Sequence, residues 1–306
     1  MAVLALDIGA TKFAAGLVDE TGRVYGVCRT AVPAREVWPE CRRLLLEVAG
    51  GSAVTAVGIG SAGPVDTPGG VTAPLNIPEW RAGFPIVAAV EELFPTAVVR
   101  FAIDGACLAL AEQQSGAFRG IRNGLAMTVS SGIGGGILVD GRVSLGRTGN
   151  AGHIGHIVVP GWEVPCACGG VGCVEAVASG MSSARWARAQ GWRGKTGAEL
   201  AAAARTGDPI ATAALARAGT ALGQAICSAA ALLDVDTVVV GGGFAHSGDP
   251  LWRPLRESVG RHAKLTFLRG LRVELSRLDD GATLVGAAVL ARSPIDPLAL
   301  AEPGGP

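Results

Sequence analysis

One imidazole and three thiols crowd the stretch His156-x9-Cys166-Ala-Cys168-Gly-Gly-Val-Gly-Cys173-Val-Glu175. The set suits one tetrahedral zinc ion, which takes Cys3His readily with Zn–S near ~2.3 Å and Zn–N near ~2.0 Å. Gly169, Gly170 and Gly172 let the backbone fold tightly around such an ion. Four protein ligands leave no open position for water, so the expected zinc is structural. The alternative is a disulfide between two of the three thiols, leaving one odd. Nothing else in the chain belongs to a secreted protein, and Cys28, Cys41, Cys107 and Cys227 are scattered among apolar neighbours as ordinary buried thiols.

Three glycine-bearing turns follow apolar runs. Asp7-Ile-Gly9-Ala-Thr11-Lys12 points amide N–H groups into one concavity, a shape that binds phosphate oxygens, and Thr11 and Lys12 add a hydroxyl and a positive charge. Asp7 is placed to hold Mg²⁺ through water, because magnesium gives up its waters reluctantly. The second turn is Ser130-Ser131-Gly132-Ile-Gly134-Gly135, and the third is Gly241-Gly242-Gly243. Two look-alikes fail on context. Gly58-Ile-Gly60-Ser-Ala-Gly63 matches a dinucleotide fingerprint, but Pro64-Val65-Asp66 follows instead of a helix. Gly194-Lys195-Thr196 imitates the end of a P-loop but has Ala189 at the required glycine, and reads as a helix start.

The elements that carry these residues alternate. Residues 1–6 read as a buried strand, 7–12 as a tight turn, 13–18 as a returning strand and 20–22 as a hairpin turn. Residues 35–50 read as a helix, 53–59 and 98–103 as strands, and 106–115 as a helix after Asp104. A second round has a strand at 124–129, a turn at 130–136, a strand at 137–139, helices across 198–233 and a strand at 236–240. A small apolar helix near 284–291 is placed to cross back to the first lobe. The Pro/Gly-rich tail 294–306 is expected to fray.

The chain has 306 residues, 49% apolar and 17% charged, which is long enough for two domains. Its 26 basic and 26 acidic residues cancel, so no net field draws it to nucleic acid or an anionic membrane. No apolar run is long enough to span a bilayer, and Met1-Ala-Val-Leu-Ala-Leu-Asp7 lacks the features of a signal peptide. Cytoplasm is the expected compartment.

His156 with Cys-x-Cys-Gly-x-x-Gly-Cys-x-Glu resembles the signature of the ROK group (repressors, open reading frames and sugar kinases). The three turns stand in the order of that group's phosphate loops and adenosine-side turn. The resemblance implies an α/β fold of the two-lobed actin-like ATPase type (ribonuclease H-like, hexokinase-type) with a duplicated βββαβα core. It implies a smaller lobe over 1–117, completed by a helix near 283–293, and a larger one over 118–282 with the zinc. ATP and a hexose or N-acetylhexosamine are the implied ligands, and a homodimer the implied assembly. Asp7, Gly9, Thr11, Lys12, Ser130, Ser131, Gly132, Gly134, Gly241 and Gly242 match the nucleotide side. Gly63, Asn76, His153, His156 and Glu175 match the sugar side. Asp104 matches the catalytic base, which takes the proton from the attacking sugar hydroxyl.

Each has a plainer alternative: Asp104 as a helix cap, Asn76 as a turn residue, His153 as a packing histidine. Three segments depart from the group's pattern. Ala10 stands where a glycine is usual. Ile103-Asp104-Gly105 replaces Asn-Asp-Ala, and Ile103 cannot bond sugar hydroxyls as that asparagine does. Gly152-His153-Ile-Gly155-His156 carries His153 where glucose-phosphorylating members carry glutamate, and in this it is similar to bacterial N-acetylmannosamine kinases. An imidazole can donate to an acetamido carbonyl, which an ionised glutamate cannot. The implied activity is hexose 6-phosphorylation, N-acetylmannosamine first and glucose second. A sugar sensor without turnover is a further option. Repressors of the group carry a helix-turn-helix before the first loop. Here only six residues precede Asp7, so DNA binding is not expected.

Overall fold

A computed structural model of the chain describes residues 2–278 and 281–293, so the tail expected to fray lies outside the described residues. Strand β1 (Ala2–Ile8) turns back through residues 9–11 into β2 (Lys12–Val18), which pairs antiparallel with β3 (Val24–Ala31). Helix α1 (Val37–Ala49) follows, burying Cys41, Leu45 and Val48, and leads to β4 (Val54–Ser61). A small hairpin of β5 (Val65–Asp66) and β6 (Val71–Thr72) precedes α2 (Ile86–Leu93), β7 (Val98–Ile103) and α3 (Asp104–Ser115). The sheet order is β3-β2-β1-β4-β7, with β4 parallel to both its neighbours.

The second round repeats this plan. It holds β8 (Gly124–Val129), β9 (Ile133–Val139) and β10 (Arg142–Ser144), then helices α4 (Val174–Ala178), α5 (Gly180–Ala189), α6 (Gly197–Arg205) and α7 (Pro209–Leu233). Strand β11 (Thr237–Gly241), α8 (Asp249–His262), β12 (Arg272–Leu275) and α9 (Ala282–Arg292) complete it. The second sheet runs β10-β9-β8-β11-β12, with β11 parallel to β8 and β12. Strand for strand this is the order of the first sheet, so the expected βββαβα duplication is present. The central parallel strands are buried on both faces, which is why β11 is an unbroken apolar run. Asp7, Asp104, Ser130 and Gly242 all lie at or just past the C-terminal ends of parallel strands, where open α/β sheets carry their ligands.

By compactness the chain divides into two units. Of the described residues, one comprises those up to 122, 136–152 and those from 281; the other comprises 123–135 and those from 153 to 278. In the first, Phe13, Trp80 and Phe84 stack in a row, the Trp80–Phe84 centroids 4.5 Å apart. Helix α9 lies between β4 and α3. A Cβ on Gly58 would fall 1.9 Å from the Ala287 carbonyl oxygen, and one on Gly286 1.7 Å from that of Cys107. The Gly58-x-Gly60 pattern therefore serves helix–sheet packing, not a nucleotide. In the second unit Thr196 caps α6, accepting the Glu199 N–H at 3.1 Å, which makes Gly194-Lys195-Thr196 the helix start expected. Among the described residues no helix is long and apolar enough to cross a membrane.

Two turns are shorter than the sequence suggests. Asp7 is still in β1, paired with Ala14, because the Gly9 N–H closes the reversal on the Lys12 carbonyl at 3.0 Å. Likewise the Ser130 N–H bonds the Gly132 carbonyl at 2.9 Å, so β9 begins at Ile133 and Gly134 lies in the strand. The glycine run there answers to packing: a Cβ on Gly136 would meet the Gly105 carbonyl of α3 at 2.0 Å.

Candidate functional site

In the first unit, Thr11 and Lys12 are exposed on the β1–β2 reversal, beside half-buried Asp7. Asp104 is the first residue of α3, also half-buried, and its Oδ1 accepts the Gly105 N–H at 2.7 Å. Ile103 before it is 3% exposed, a core side chain of β7. Burial, and then the charge of Asp104, push the Asp7 carboxyl up from 3.8 to about 7, with Lys12 and Arg29 opposing. Two acids with one kept protonated near neutrality suit a hydrated divalent cation, whose charge offsets both.

Arg29 was not evident from the sequence. The register Asp7↔Ala14↔Arg29 across β1, β2 and β3 puts its side chain on the face of Asp7, past an alanine too small to intervene. Lys12 shares that face, two residues from Ala14. The only available signal was the hairpin alternation, which needs the register to be informative.

Gly63 follows Ala62, whose N–H donates to the Ile8 carbonyl at 2.7 Å, so this segment meets the end of β1. Asn150 then brackets the next residue but one. Its Oδ1 accepts the Val65 N–H at 2.9 Å and its Nδ2 donates to the Val65 carbonyl at 2.6 Å. Asn150 was also missed. Asn76 is exposed, in a turn closed by the Ile77 N–H on the Pro74 carbonyl at 3.1 Å. Trp80 beyond it is 1% exposed and belongs to the aromatic row.

In the second unit the Ser130–Gly132 turn is held from two sides. The Ile133 N–H donates to Glu175 Oε2 at 2.8 Å, and the Gly180 N–H donates to the Ser130 carbonyl at 2.8 Å. Gly241 ends β11, and Gly242 has φ 91° with the Val129 oxygen 2.7 Å from where a Cβ would sit, so only glycine fits there. Ser130, Ser131, Gly132, Gly242 and Glu175 thus gather at the end of β8.

The donor atoms of His156, Cys166, Cys168 and Cys173 all lie within 4.8 Å of one another. Cys168 Sγ and Cys173 Sγ are 3.7 Å apart, and Cys166 Sγ is 3.8 Å from His156 Nδ1. Sulfurs ~2.3 Å from a tetrahedral centre stand about 3.8 Å from each other, so these edges fit a zinc ion. They do not fit a disulfide, which needs about 2.05 Å, and all seven cysteines are free. Burial pushes the Cys173 thiol up, its neighbours Cys166 and Cys168 adding to this, while the Gly170 N–H draws Cys168 down. A cation among them favours the thiolates that metal binding requires. The His153 ring stacks on that of His156, centroids 5.7 Å apart and planes 20° off parallel.

Comparison with known proteins gives a consistent result. The profile of the ROK family matches residues 3–293. The glucokinase of Thermotoga maritima is 32% identical over 316 residues, spanning 96% of this chain and 98% of its own. The N-acetylmannosamine kinase of Vibrio cholerae is 33% identical over 252 residues, 80% of this chain and 84% of its own. Among solved structures, a ROK family glucokinase from Streptomyces griseus in complex with glucose and AMPPNP superposes with a TM-score of 0.84 at 32% identity, covering 95% of this chain and 99% of that one.

Proposed function

The chain belongs to the ROK family and has its actin-like, hexokinase-type α/β fold, and from that premise we propose that it phosphorylates the 6-hydroxyl of a hexose from ATP, with N-acetyl-D-mannosamine as the sugar. The observation that carries the phosphotransfer reading is the pair of acids, Asp7 and Asp104, at strand ends beside a turn presenting Thr11 and Lys12.

In this reading the turns at 9–12 and 130–134 take the polyphosphate, and Gly241-Gly242 takes the adenosine side. Asp104 accepts the proton of the 6-hydroxyl as its oxygen bonds to the γ-phosphorus. The bond from that phosphorus to the bridging oxygen breaks, and ADP leaves. Help from such a base is typically worth ~10²–10⁴ in rate. The remainder comes from positioning and charge neutralisation, for which Lys12 and Arg29 are the nearby cations. Asp7 would hold Mg²⁺, which would supply charge neutralisation to the phosphates. His156, Cys166, Cys168 and Cys173 would hold zinc, and with four protein ligands it would be structural.

The sugar side comprises Gly63, Asn76, His153, His156 and Glu175. His153 argues for the N-acetyl sugar, because its imidazole can donate to an acetamido carbonyl. A second reading, glucose, is supported by the relatedness to the Thermotoga glucokinase over 96% of this chain. Measuring ADP release from zinc-replete protein across a panel of hexoses tests both. N-acetylmannosamine should give the highest kcat/KM. Higher kcat/KM with glucose selects the second reading, and ADP at background with every sugar refutes the kinase. The family resemblance also points to a homodimer, which sedimentation tests.

A further inference from the structure

Residues next to two of the metal donors meet on one backbone unit of the nucleotide-side turn. The Ile133 N–H donates to Glu175 Oε2 at 2.8 Å, and Glu175 lies two residues after Cys173. On the other side, Gly155 immediately precedes His156, and a Cβ there would fall 2.1 Å from the Ile133 carbonyl oxygen. Gly132 is equally close: its missing Cβ would be 2.7 Å from Glu175 Oε2. The same segment reaches the start of the turn, where the Gly180 N–H bonds the Ser130 carbonyl at 2.8 Å.

Helix α4, which carries Glu175, runs only from Val174 to Ala178 and cannot hold itself. Burial of Val174, Val177 and Ala178 holds it, the Arg217 guanidinium donates to the Val177 carbonyl at 2.6 Å, and its entry is fixed as well. Cys173 is its N-cap, and the Val174 N–H donates to the Ile157 carbonyl at 2.9 Å, next to His156. The entry lies beside the donor set, whose atoms stand at the spacing a bound cation would hold.

We infer that the metal knot sets the shape of the Ser130–Ile133 turn through Glu175 and Gly155, making Glu175 a positioning residue for nucleotide binding. The inference rests on the kinase reading for its ligand, but the coupling itself does not. A carboxylate accepting a backbone N–H is a strong, oriented contact, and one oxygen suffices for it. The other oxygen remains for the sugar-side role that the family resemblance assigns. Loss of the metal, or of the side chain, therefore frees Ile133 and blurs the turn.

The test compares metal-loaded wild type, chelator-stripped wild type, Glu175→Ala and Glu175→Gln, each checked for metal content and cooperative melting. Two readouts are taken: hydrogen exchange over residues 130–136 and calorimetric titration with AMPPNP. Stripped wild type and Glu175→Ala should both exchange faster there and bind AMPPNP about tenfold more weakly or worse, as loss of a charged hydrogen bond implies. Glu175→Gln keeps an accepting oxygen, so it should stay within about threefold of wild type. Should Glu175→Ala match wild type in exchange and affinity, or Glu175→Gln fail as badly as Ala, the coupling is refuted. If metal-loaded wild type binds no AMPPNP, the kinase reading fails instead, and the exchange comparison alone decides the coupling.

Discussion

Asp7 and Asp104 stand at the C-terminal ends of parallel strands with β4 between them, and the charge of Asp104 helps keep Asp7 protonated. The Asp7 carboxyl is raised from 3.8 to about 7, burial being the larger cause. Between those values the folded state holds a proton that the unfolded state has released. Stability from this group is therefore greatest below about pH 4, falls as pH rises toward 7, and stays reduced above it. Asp7→Asn removes the strained charge. It should raise Tm by about 2–4 °C at pH 8, discounted for partial exposure, and by less than half as much at pH 5. Equal melting at pH 8 contradicts the assignment. Turnover should fall at least ~100-fold in the same variant.

In the proposed reading the same titration governs Mg²⁺. A cation at Asp7 competes with the proton, so affinity weakens below pH 7. The Mg²⁺ concentration giving half-maximal rate should rise about tenfold from pH 8 to pH 6. In Asp7→Asn that dependence should vanish along with most of the rate. A pH-independent Mg²⁺ requirement in wild type would place the metal elsewhere.

Asp104→Asn keeps the size of the side chain and an oxygen able to accept the Gly105 N–H, so α3 should begin as it does now. What is lost is the proton acceptor. Turnover should drop ~10²–10⁴-fold with sugar affinity within a few-fold of wild type, read by ADP release and direct sugar titration. Turnover within tenfold of wild type would leave Asp104 as a helix-start residue only.

Much of this was legible in the sequence because its signals are local. The Cys-x-Cys spacing gathers three thiols within one loop, and the apolar runs of β4 and β11 announce buried parallel strands. What escaped depends on register and contacts distant in sequence. Arg29 acquires meaning only once Ala14 is known to lie between it and Asp7. Asn150 is an ordinary turn residue until Val65 is brought to it from 85 positions away. Gly134 looked like turn chemistry, but it and the next two glycines belong to β9, where α3 packs against Gly136. Glycine in sequence reports that a Cβ is unwelcome and does not say whether a ligand or a helix excludes it.

In the proposed reading the sugar turns on His153, whose ring lies 5.7 Å from that of His156 and 20° off parallel. His153→Glu replaces a potential donor by an acceptor of two lone-pair oxygens, so it should favour hydroxyls over an acetamido carbonyl. The ratio of kcat/KM for glucose to that for N-acetylmannosamine should rise about tenfold or more, the scale of one hydrogen bond gained or lost at a polar site. Because the substitution adds a negative charge beside the donor set, metal content must be measured in parallel. An unchanged ratio at unchanged metal content would remove His153 from sugar selection and leave it as the packing partner of His156.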